Sequence, residues 1–158
     1  MLGKVRPTTG KVLESILATL ADYWEEARVL DLFAGSGTLA EAARQQGARE
    51  IVAIEGHSRV AAALRKKMPV IIGLLPGALS KLSGHFDIIL GDPPYGVPEG
   101  PATLALLSPL LAPDGWIVWE HHHKDPYPNP VPGLSLWRCR RFGETAVSYY
   151  RQGGMTPE

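Results

Sequence analysis

The stretch DLFAGSGTLA, residues 31–40, joins an apolar strand pattern to an alanine-rich helical pattern through a turn with two glycines. Gly35, Gly37 and Ala40 have the spacing G-x-G-x-x-A, which is typical of a nucleotide-binding turn between a strand and a helix. Glycine lets the backbone approach a ligand, and the first N–H groups of the helix can bind it. The stretch therefore predicts an α/β fold with a ligand site at this turn.

Two acidic residues near the turn indicate which ligand it binds. Glu55 ends the next strand pattern, EIVAIE (50–55), where a carboxylate can accept hydrogen bonds from both ribose hydroxyls of an adenosine. Asp31 lies inside the first strand, where a dinucleotide-binding fold usually has an apolar residue, and a buried carboxylate needs a partner. The ammonium group of S-adenosylmethionine would be such a partner. Asp31 therefore favours a methyltransferase cofactor over a nicotinamide one.

Strand and helix patterns alternate along most of the chain. Short apolar runs predict five strands, at RVLDLF (28–33), EIVAIE (50–55), VII (70–72), FDIIL (86–90) and GWIVWE (115–120). Helical patterns lie before and between them, at residues 9–22, 38–46, 58–67, 76–82 and 102–111. Buried apolar strands that alternate with helices predict a parallel sheet covered on both faces.

The last third of the chain changes character. LSLWRCR (134–140) and ETAVSYYR (144–151) are rich in β-forming residues and separated only by RFG, which predicts an antiparallel hairpin. The preceding proline-rich stretch, residues 121–133, is expected to be a surface loop. The length of 158 residues suits a single domain, 1–158. Its predicted parts are an N-terminal segment and helix (1–24), a cofactor-binding and catalytic core (25–120) and the hairpin (134–151).

The composition limits the classes of function. Sixteen basic and sixteen acidic residues balance, so any site for a polyanion must be a local patch. Cys139 is the single cysteine, and no stretch resembles a signal peptide or membrane span, so we expect a cytoplasmic protein without membrane contact. EHHHK (120–124) does not predict a metal site, because adjacent side chains of a strand point to opposite faces. We expect a solvated cluster at a strand end there.

A second short stretch, GDPPYG (91–96), follows the fourth strand and predicts the reaction. Ligands of open α/β sheets bind at the carboxyl ends of the strands, so this loop should face the same crevice as the glycine turn. The exocyclic amine of a nucleobase is a poor nucleophile, and hydrogen bonds accepted by the Asp92 carboxylate and the Pro93 carbonyl would concentrate its lone pair. Pro93 and Pro94 fix the backbone, and Tyr95 offers a face on which a base can stack.

The chain resembles the bacterial 16S ribosomal RNA guanine-N2 methyltransferases of the RsmD type. Four stretches carry the resemblance: RPTTGKVLESIL (6–17), DLFAGSGTLAEAA (31–43), DPPY (92–95) and FGETAVSYYR (142–151). It implies the Rossmann-like S-adenosylmethionine-dependent methyltransferase fold, with seven strands in the order 3-2-1-4-5-7-6, strand seven antiparallel and helices on both faces. It also implies methyl transfer from S-adenosylmethionine to the N2 amino group of a guanine in small-subunit ribosomal RNA, without a metal.

The motifs and the resemblance together assign site residues. The catalytic residues are expected to be Asp92, Pro93, Pro94 and Tyr95. The cofactor-binding residues are expected to be Asp31, Phe33, Ala34, Gly35, Ser36, Gly37, Glu55, Gly56, Ala78 and Asp92. RNA contacts are expected in the RPTT segment and where positive charge clusters near the C-terminus, at Arg6, Thr8, Thr9, Arg138, Arg140 and Arg151. The expected partner is ribosomal RNA within a small-subunit particle, and the expected state is a monomer.

The sequence departs from the family pattern, and two other functions stay open. Gly10 replaces the usual acid after RPTT, and Gly77-Ala78 replaces the Asp-Ala pair that approaches the adenine, which leaves only backbone groups there. DPPY is shared with adenine-N6 methyltransferases, so adenine-N6 methylation of DNA or RNA is one alternative. A non-catalytic RNA-binding or ribosome assembly factor is the other.

Overall fold

The computed structural model describes residues 10–125 and 130–153. The strands are β1 (Arg28–Leu32), β2 (Glu50–Glu55), β3 (Val70–Ile72), β4 (Phe86–Gly91), β5 (Leu111–His122), β6 (Leu134–Phe142) and β7 (Thr145–Gln152). The α-helices are α1 (Gly10–Thr19), α2 (Thr38–Gln45), α3 (Ser58–Leu64) and α4 (Glu99–Leu104), and two 3₁₀ turns cover Gly77–Lys81 and Ser108–Leu110. The predicted RNA contacts Arg6, Thr8 and Thr9 lie outside the described residues.

The strands of the described chain form one sheet in the order β3-β2-β1-β4-β5-β7-β6. β1 to β5 pair in parallel, and β7 runs antiparallel to both β5 and β6. The strand order reverses between β1 and β4, and this reversal is where ligands bind in open α/β sheets. The predicted Rossmann-like methyltransferase fold, with its antiparallel seventh strand, is confirmed.

Both faces of the sheet are covered, so successive side chains of a strand enter two different cores. Val29 packs with residues of α1, α2 and α3. Leu30 and Leu32 pack on the other face, with α4 and with the segments that precede β4 and β5. Burial on two faces is the reason that these strands read as continuous apolar runs in the sequence. The sheet is therefore a rigid support, and the loops at its carboxyl edge carry the variable chemistry.

Prolines explain why the fourth helix departs from its predicted span of 102–111. α4 begins at Glu99, after Pro98 at the N-cap, and Pro101 lies in its first turn, where the N–H group that proline lacks has no helical partner to bond. It ends at Leu104. Pro109 cannot donate the backbone hydrogen bond that would continue an α-helix, and it lies in a short 3₁₀ turn instead.

Other predicted helices are shorter than their sequence patterns. The segment 9–22 is helical to Thr19, the segment 58–67 is helical to Leu64, and the segment 76–82 forms a 3₁₀ turn rather than an α-helix. Helix ends fray because their last groups lack internal partners, so periodicity alone overestimates their length.

The prediction of a solvated cluster at EHHHK (120–124) is wrong for its first two residues. Glu120 and His121 are buried within β5, which pairs with β7 as far as His122. His121 Nε2 lies 2.8 Å from Ser148 Oγ, and burial lowers the pKa of this imidazole. The longer strand thus makes these two residues part of the sheet.

No helix within residues 10–125 and 130–153 combines the length and apolarity needed to cross a membrane.

Candidate active site

The loop after β1 contains three residues with left-handed backbone conformations. The φ angle is 58° at Phe33, 59° at Gly35 and 84° at Gly37. Glycine adopts this conformation freely, whereas it costs a residue such as Phe33 about 1–2 kcal/mol. Phe33 is held by an edge contact with Trp119, whose ring centroid is 6.3 Å away. Backbone strain that the surroundings maintain is typical of a ligand-binding loop.

Gly37 is the N-cap of α2 and lies directly against α3. A Cβ at this position would come within 2.5 Å of Leu64 Cδ1, so a larger residue would require the Leu64 side chain to shift, and the left-handed φ angle of 84° favours glycine. No side chain caps this end of α2, and Ser36 Oγ pairs with Thr38 Oγ1 at 3.1 Å. The first N–H groups of α2 can therefore serve a ligand in the loop.

Glu55 ends β2 beside this turn, and its carboxylate is fixed by two backbone groups. The N–H of Gly35 donates to Oε1 at 2.7 Å, and the N–H of His57 donates to Oε2 at 2.9 Å. Each carboxylate oxygen can accept more than one hydrogen bond, so both retain capacity for ligand hydroxyls. Glu55 thus joins the glycine turn to the end of the neighbouring strand.

Asp31 lies in the middle of the sheet, between Ala53 of β2 and Leu90 of β4. Its side chain is 2 % exposed, and Oδ2 has no hydrogen-bond partner among the described residues. The pKa of Asp31 is raised to about 8, first by burial and then by the negative charge of Asp92, while a hydrogen bond from the Ala40 N–H opposes the rise. The site therefore stabilises a positive charge brought next to Asp31.

The residues around the glycine turn fit S-adenosylmethionine, the cofactor that the fold implies. An orphaned oxygen on a buried carboxyl suits the ammonium of the methionine moiety of S-adenosylmethionine. The backbone N–H groups of the glycine turn suit its carboxylate, and Glu55 suits the ribose hydroxyls. The donor set therefore matches S-adenosylmethionine along its length from the amino acid to the ribose.

The catalytic loop starts directly after β4, which lies next to β1. β4 ends at Gly91, and a Cβ there would overlap the ring of Trp119 on β5. Asp92 follows directly after Gly91, which pairs with Leu32, the residue after Asp31, and the negative charge of Asp92 contributes to the raised pKa of Asp31. Pro93 is buried and Pro94 is exposed, so the loop has one anchored proline and one at the surface.

Tyr95 is half-buried at the corner where β5 and β7 meet. Its hydroxyl lies 2.7 Å from Thr145 Oγ1. Its ring meets the ring of His122 at 81°, with centroids 5.4 Å apart. The next residue, Gly96, has a φ angle of 77° and turns the chain away. The structure thus brings the proposed stacking residue to the carboxyl edge, with its hydroxyl already engaged.

Three further predicted cofactor residues have mainly backbone roles. The Ala34 N–H donates to the Ile54 carbonyl at 3.1 Å, which ties the glycine turn to β2. Gly56 is exposed next to Leu74, itself 77 % exposed. Ala78 is buried in the core, and its N–H donates to the Leu74 carbonyl at 2.8 Å. The Ala78 amide is therefore occupied by the segment after β3.

The predicted RNA contacts separate into two places. Arg138 and Arg140 are exposed on the edge strand β6, and Arg140 pairs in register with Val147. Arg151 is at the other end of the hairpin, where its guanidinium lies over the Trp116 ring and donates to the Asp114 carbonyl. Arg138 and Arg140 therefore lie towards the end of the sheet that carries the catalytic loop. Arg151 lies towards the opposite end.

Sequence reasoning gave no role to two residues that contact Tyr95. Thr145 lies within the quoted stretch FGETAVSYYR, and His122 lies within EHHHK. The register of an antiparallel pair could have placed them opposite one another, but that register depends on how far β5 extends.

Comparisons with known proteins agree with this geometry. Residues 2–151 match the family described as Conserved hypothetical protein 95. YlbH of Bacillus subtilis, a candidate rRNA methyltransferase, is 30% identical over 94% of this chain and 89% of its own. The Ribosomal RNA small subunit methyltransferase D of Escherichia coli is 28% identical over 94% of this chain and 80% of its own.

The fold is also found in a solved structure of similar size. The candidate methyltransferase yhhF of Escherichia coli superposes with a TM-score of 0.84 at 27% identity, covering 96% of this chain and 89% of that one. The match of the family over nearly the whole chain, together with these relatives, shows that the chain belongs to the Conserved hypothetical protein 95 family, the methyltransferases of the RsmD type.

Proposed function

We propose that this protein transfers a methyl group from S-adenosylmethionine to the exocyclic N2 amino group of a guanine in small-subunit ribosomal RNA. The observation that carries the proposal is the position of the Asp92-Pro93-Pro94-Tyr95 loop beside Asp31 and the glycine turn. The name of the Escherichia coli relative supports ribosomal RNA as the substrate class.

Residues on β1, β2 and the loop between β1 and α2 would hold the cofactor. Asp31 would pair with the ammonium group, the N–H groups at the start of α2 would bind the carboxylate, and Glu55 would bind the ribose. When bound, S-adenosylmethionine supplies an electrophilic methyl group on its sulfonium. Binding an ammonium next to Asp31 also favours the ionised carboxyl, because opposite charges lower the pKa of an acid.

The catalytic loop would hold the acceptor amine. The carboxylate of Asp92 and the carbonyl of Pro93 would accept hydrogen bonds from its two N–H groups, which leaves the nitrogen lone pair directed towards the methyl donor. A planar base would stack on Tyr95, an interaction worth about 1–3 kcal/mol. Proline fixes the φ angle, so the acceptor oxygens are oriented before the substrate arrives.

Edge strand β6 would contribute to RNA binding. Arg138, Arg140 and Arg141 are exposed, and none forms a salt bridge within the described part of the chain. The Arg138 guanidinium lies over the ring of Trp137, which is 47 % exposed. Unneutralised guanidinium groups bind phosphates, and an exposed indole can stack on an unpaired base. These side chains are the proposed RNA contacts of the described chain, and Arg151 is not among them.

Arg140 is well placed for substrate that reaches the catalytic loop. The pairs Arg140–Val147, Val147–Glu120 and Trp119–Gly91 put it about level with Asp92, three strands away. Three strand spacings amount to roughly 14 Å. RNA contacting β6 could therefore present a base at Tyr95.

The experiment is transfer of labelled methyl groups from S-adenosylmethionine to naked 16S RNA, to small subunits and to duplex DNA. We expect label in RNA, none in DNA, and loss of transfer in Asp92→Asn with cofactor affinity kept. Transfer by Asp92→Asn at the rate of the parent would remove the proposed role of this carboxylate. Label in DNA alone would contradict the proposed substrate.

A further inference from the structure

We propose that Thr145 and His122 are positioning residues that hold the ring of Tyr95 in place for the acceptor base. This inference rests on the proposed function, because it assigns a role to neighbours of the catalytic loop. It also gives a function to the C-terminal stretch FGETAVSYYR (142–151), which the cofactor and acceptor sites do not otherwise use.

Thr145 and His122 form one cross-strand pair. Thr145 is the first residue of β7, and it pairs in register with His122 of β5 and with Phe142 of β6. Opposite residues of an antiparallel pair present their side chains on the same face. Tyr95 contacts both members of the pair, so the end of the sheet provides a two-point support for its ring.

The contact with Thr145 is a short hydrogen bond. The two hydroxyl oxygens lie 2.7 Å apart, which is the usual distance for a well-formed O–H···O bond. Thr145 is only 8 % exposed and has a β-branched side chain at the start of a strand, so its hydroxyl has little freedom to move. The bond therefore fixes the outer end of the Tyr95 ring.

His122 is itself held on several sides. The Lys124 N–H donates to Nδ1 at 3.1 Å, so Nδ1 carries the lone pair. The ring stacks on that of His123 with centroids 4.8 Å apart, and Nε2 lies 4.0 Å from Glu144 Oε1. A ring fixed in this way provides a firm edge-to-face contact for Tyr95, a geometry that aromatic pairs prefer.

The consequence concerns the chemical step. Pro93 and Pro94 stiffen the backbone of the loop, and Thr145 and His122 hold the ring of Tyr95. The acceptor base therefore meets a surface that is already in place. Misplacement of such a surface lowers turnover more than it lowers cofactor binding. We therefore expect loss of the Thr145 hydroxyl to reduce kcat while the affinity for S-adenosylmethionine stays unchanged.

The test is a double-mutant cycle on methyl transfer to RNA. Thr145→Val and Tyr95→Phe each remove one hydroxyl of the same bond, so each should lower kcat about three- to tenfold. Thr145→Val combined with Tyr95→Phe should lower it no further, because either change alone already removes the bond. Thr145→Ser keeps the hydroxyl and should restore most of the rate.

Thr103→Val is the matched control. Thr103 is fully buried in α4, and its hydroxyl has no hydrogen-bond partner among the described residues. This variant makes the same chemical change without touching Tyr95, so its kcat should equal that of the parent. Additive losses in the double variant, or equal losses in Thr145→Val and Thr103→Val, would overturn the inference.

A second readout separates this inference from the proposed function. With 3-fluorotyrosine incorporated, the fluorine NMR signal that Tyr95→Phe removes belongs to Tyr95, and Thr145→Val should shift and broaden it. An unchanged signal would overturn the positioning role whether or not the protein methylates RNA. A changed signal in a protein that transfers no methyl group would mean that the proposed function has failed and that the hydrogen bond between Thr145 and Tyr95 stands.

Discussion

The Asp31 carboxyl is the buried group through which we propose that the sheet contacts the cofactor. It lies 2 % exposed between β2 and β4, and the raised pKa of about 8 means that it is mostly protonated at pH 7 when no cation is near. Binding of an ammonium group would favour the ionised carboxylate. Cofactor binding should therefore release a proton below about pH 8.

The raised pKa of Asp31 makes the stability of the cofactor-free protein depend on pH. In the unfolded chain the carboxyl has its ordinary pKa of 3.8, so between about pH 4 and pH 8 the folded protein holds a proton that unfolding releases. The free energy of unfolding should fall across this window and then level off. Asp31→Asn should not show this fall, because asparagine has no carboxyl to titrate. The Tm of the variant minus the Tm of the parent should therefore increase from pH 5 to pH 8.

Thermal unfolding of both proteins at several pH values checks this. Asp22→Asn, which changes an exposed acid, is the matched control and should follow the parent. Parallel pH curves for Asp31→Asn and the parent would contradict the raised pKa.

At the scale of residues, the sequence singles out the groups that we propose hold the cofactor. Asp31, Glu55 and the glycine turn stand out because an acid among apolar strand residues needs a partner, and because glycine adopts a positive φ angle without the strain that Phe33 bears. Thr145 does not stand out, because threonine is common in strands and its role depends on a contact fifty positions away. A contact between distant segments leaves no periodic signal in the sequence.

The turn between β1 and α2 is the element on which we propose that cofactor binding depends. Gly35 and Gly37 both have left-handed conformations, but only Gly37 is enclosed, since a Cβ there meets Leu64 Cδ1 while a Cβ at Gly35 meets nothing within 4 Å. Gly35→Ala should cost about 1–2 kcal/mol of stability from backbone strain alone. Gly37→Ala should cost more than Gly35→Ala, because the end of the Leu64 side chain must also shift to make room.

Urea unfolding measures the difference between the two glycine variants, and calorimetry with S-adenosylmethionine measures the effect on the turn. Gly96→Ala, with a φ angle of 77° and open space around its Cβ, is a control for strain outside the cofactor site. Equal losses of stability in the two variants at Gly35 and Gly37 would mean that the turn does not pack on α3 as described.

The bounds of a strand could be predicted from the sequence where burial sets the pattern of apolar residues. β2 and β3 match their predicted runs, residues 50–55 and 70–72, because their apolar side chains pack into the two cores of the sheet. β5 is longer than its apolar run of 115–120, since pairing with β7 extends it to His122. Pairing between strands that are distant in the sequence, rather than local propensity, sets that boundary.

At the scale of the whole molecule, formal charges cancel while positive charge is concentrated on one edge. Arg138, Arg140 and Arg141 lie on β6, and charged residues on an edge strand also prevent pairing with another sheet. Arg138→Gln with Arg140→Gln should weaken RNA binding uniformly across sequences. The slope of log affinity against log salt should become shallower by about 0.7–0.9 for each phosphate that an arginine no longer neutralises.

Filter binding at several salt concentrations measures this slope. Arg49→Gln, an exposed arginine directly before β2 and near the opposite edge of the sheet, is the matched control and should leave the slope unchanged. An equal change in slope for Arg49→Gln and the β6 variants would show that no local surface of this chain binds RNA.

The central claim is the identity of the methylated atom, and nucleoside analysis of labelled product tests it most directly. Small-subunit RNA from the transfer reaction would be digested to nucleosides and separated by chromatography with mass detection. The account predicts that all label is in N2-methylguanosine and that Asp92→Asn produces none. Label in N6-methyladenosine would contradict it.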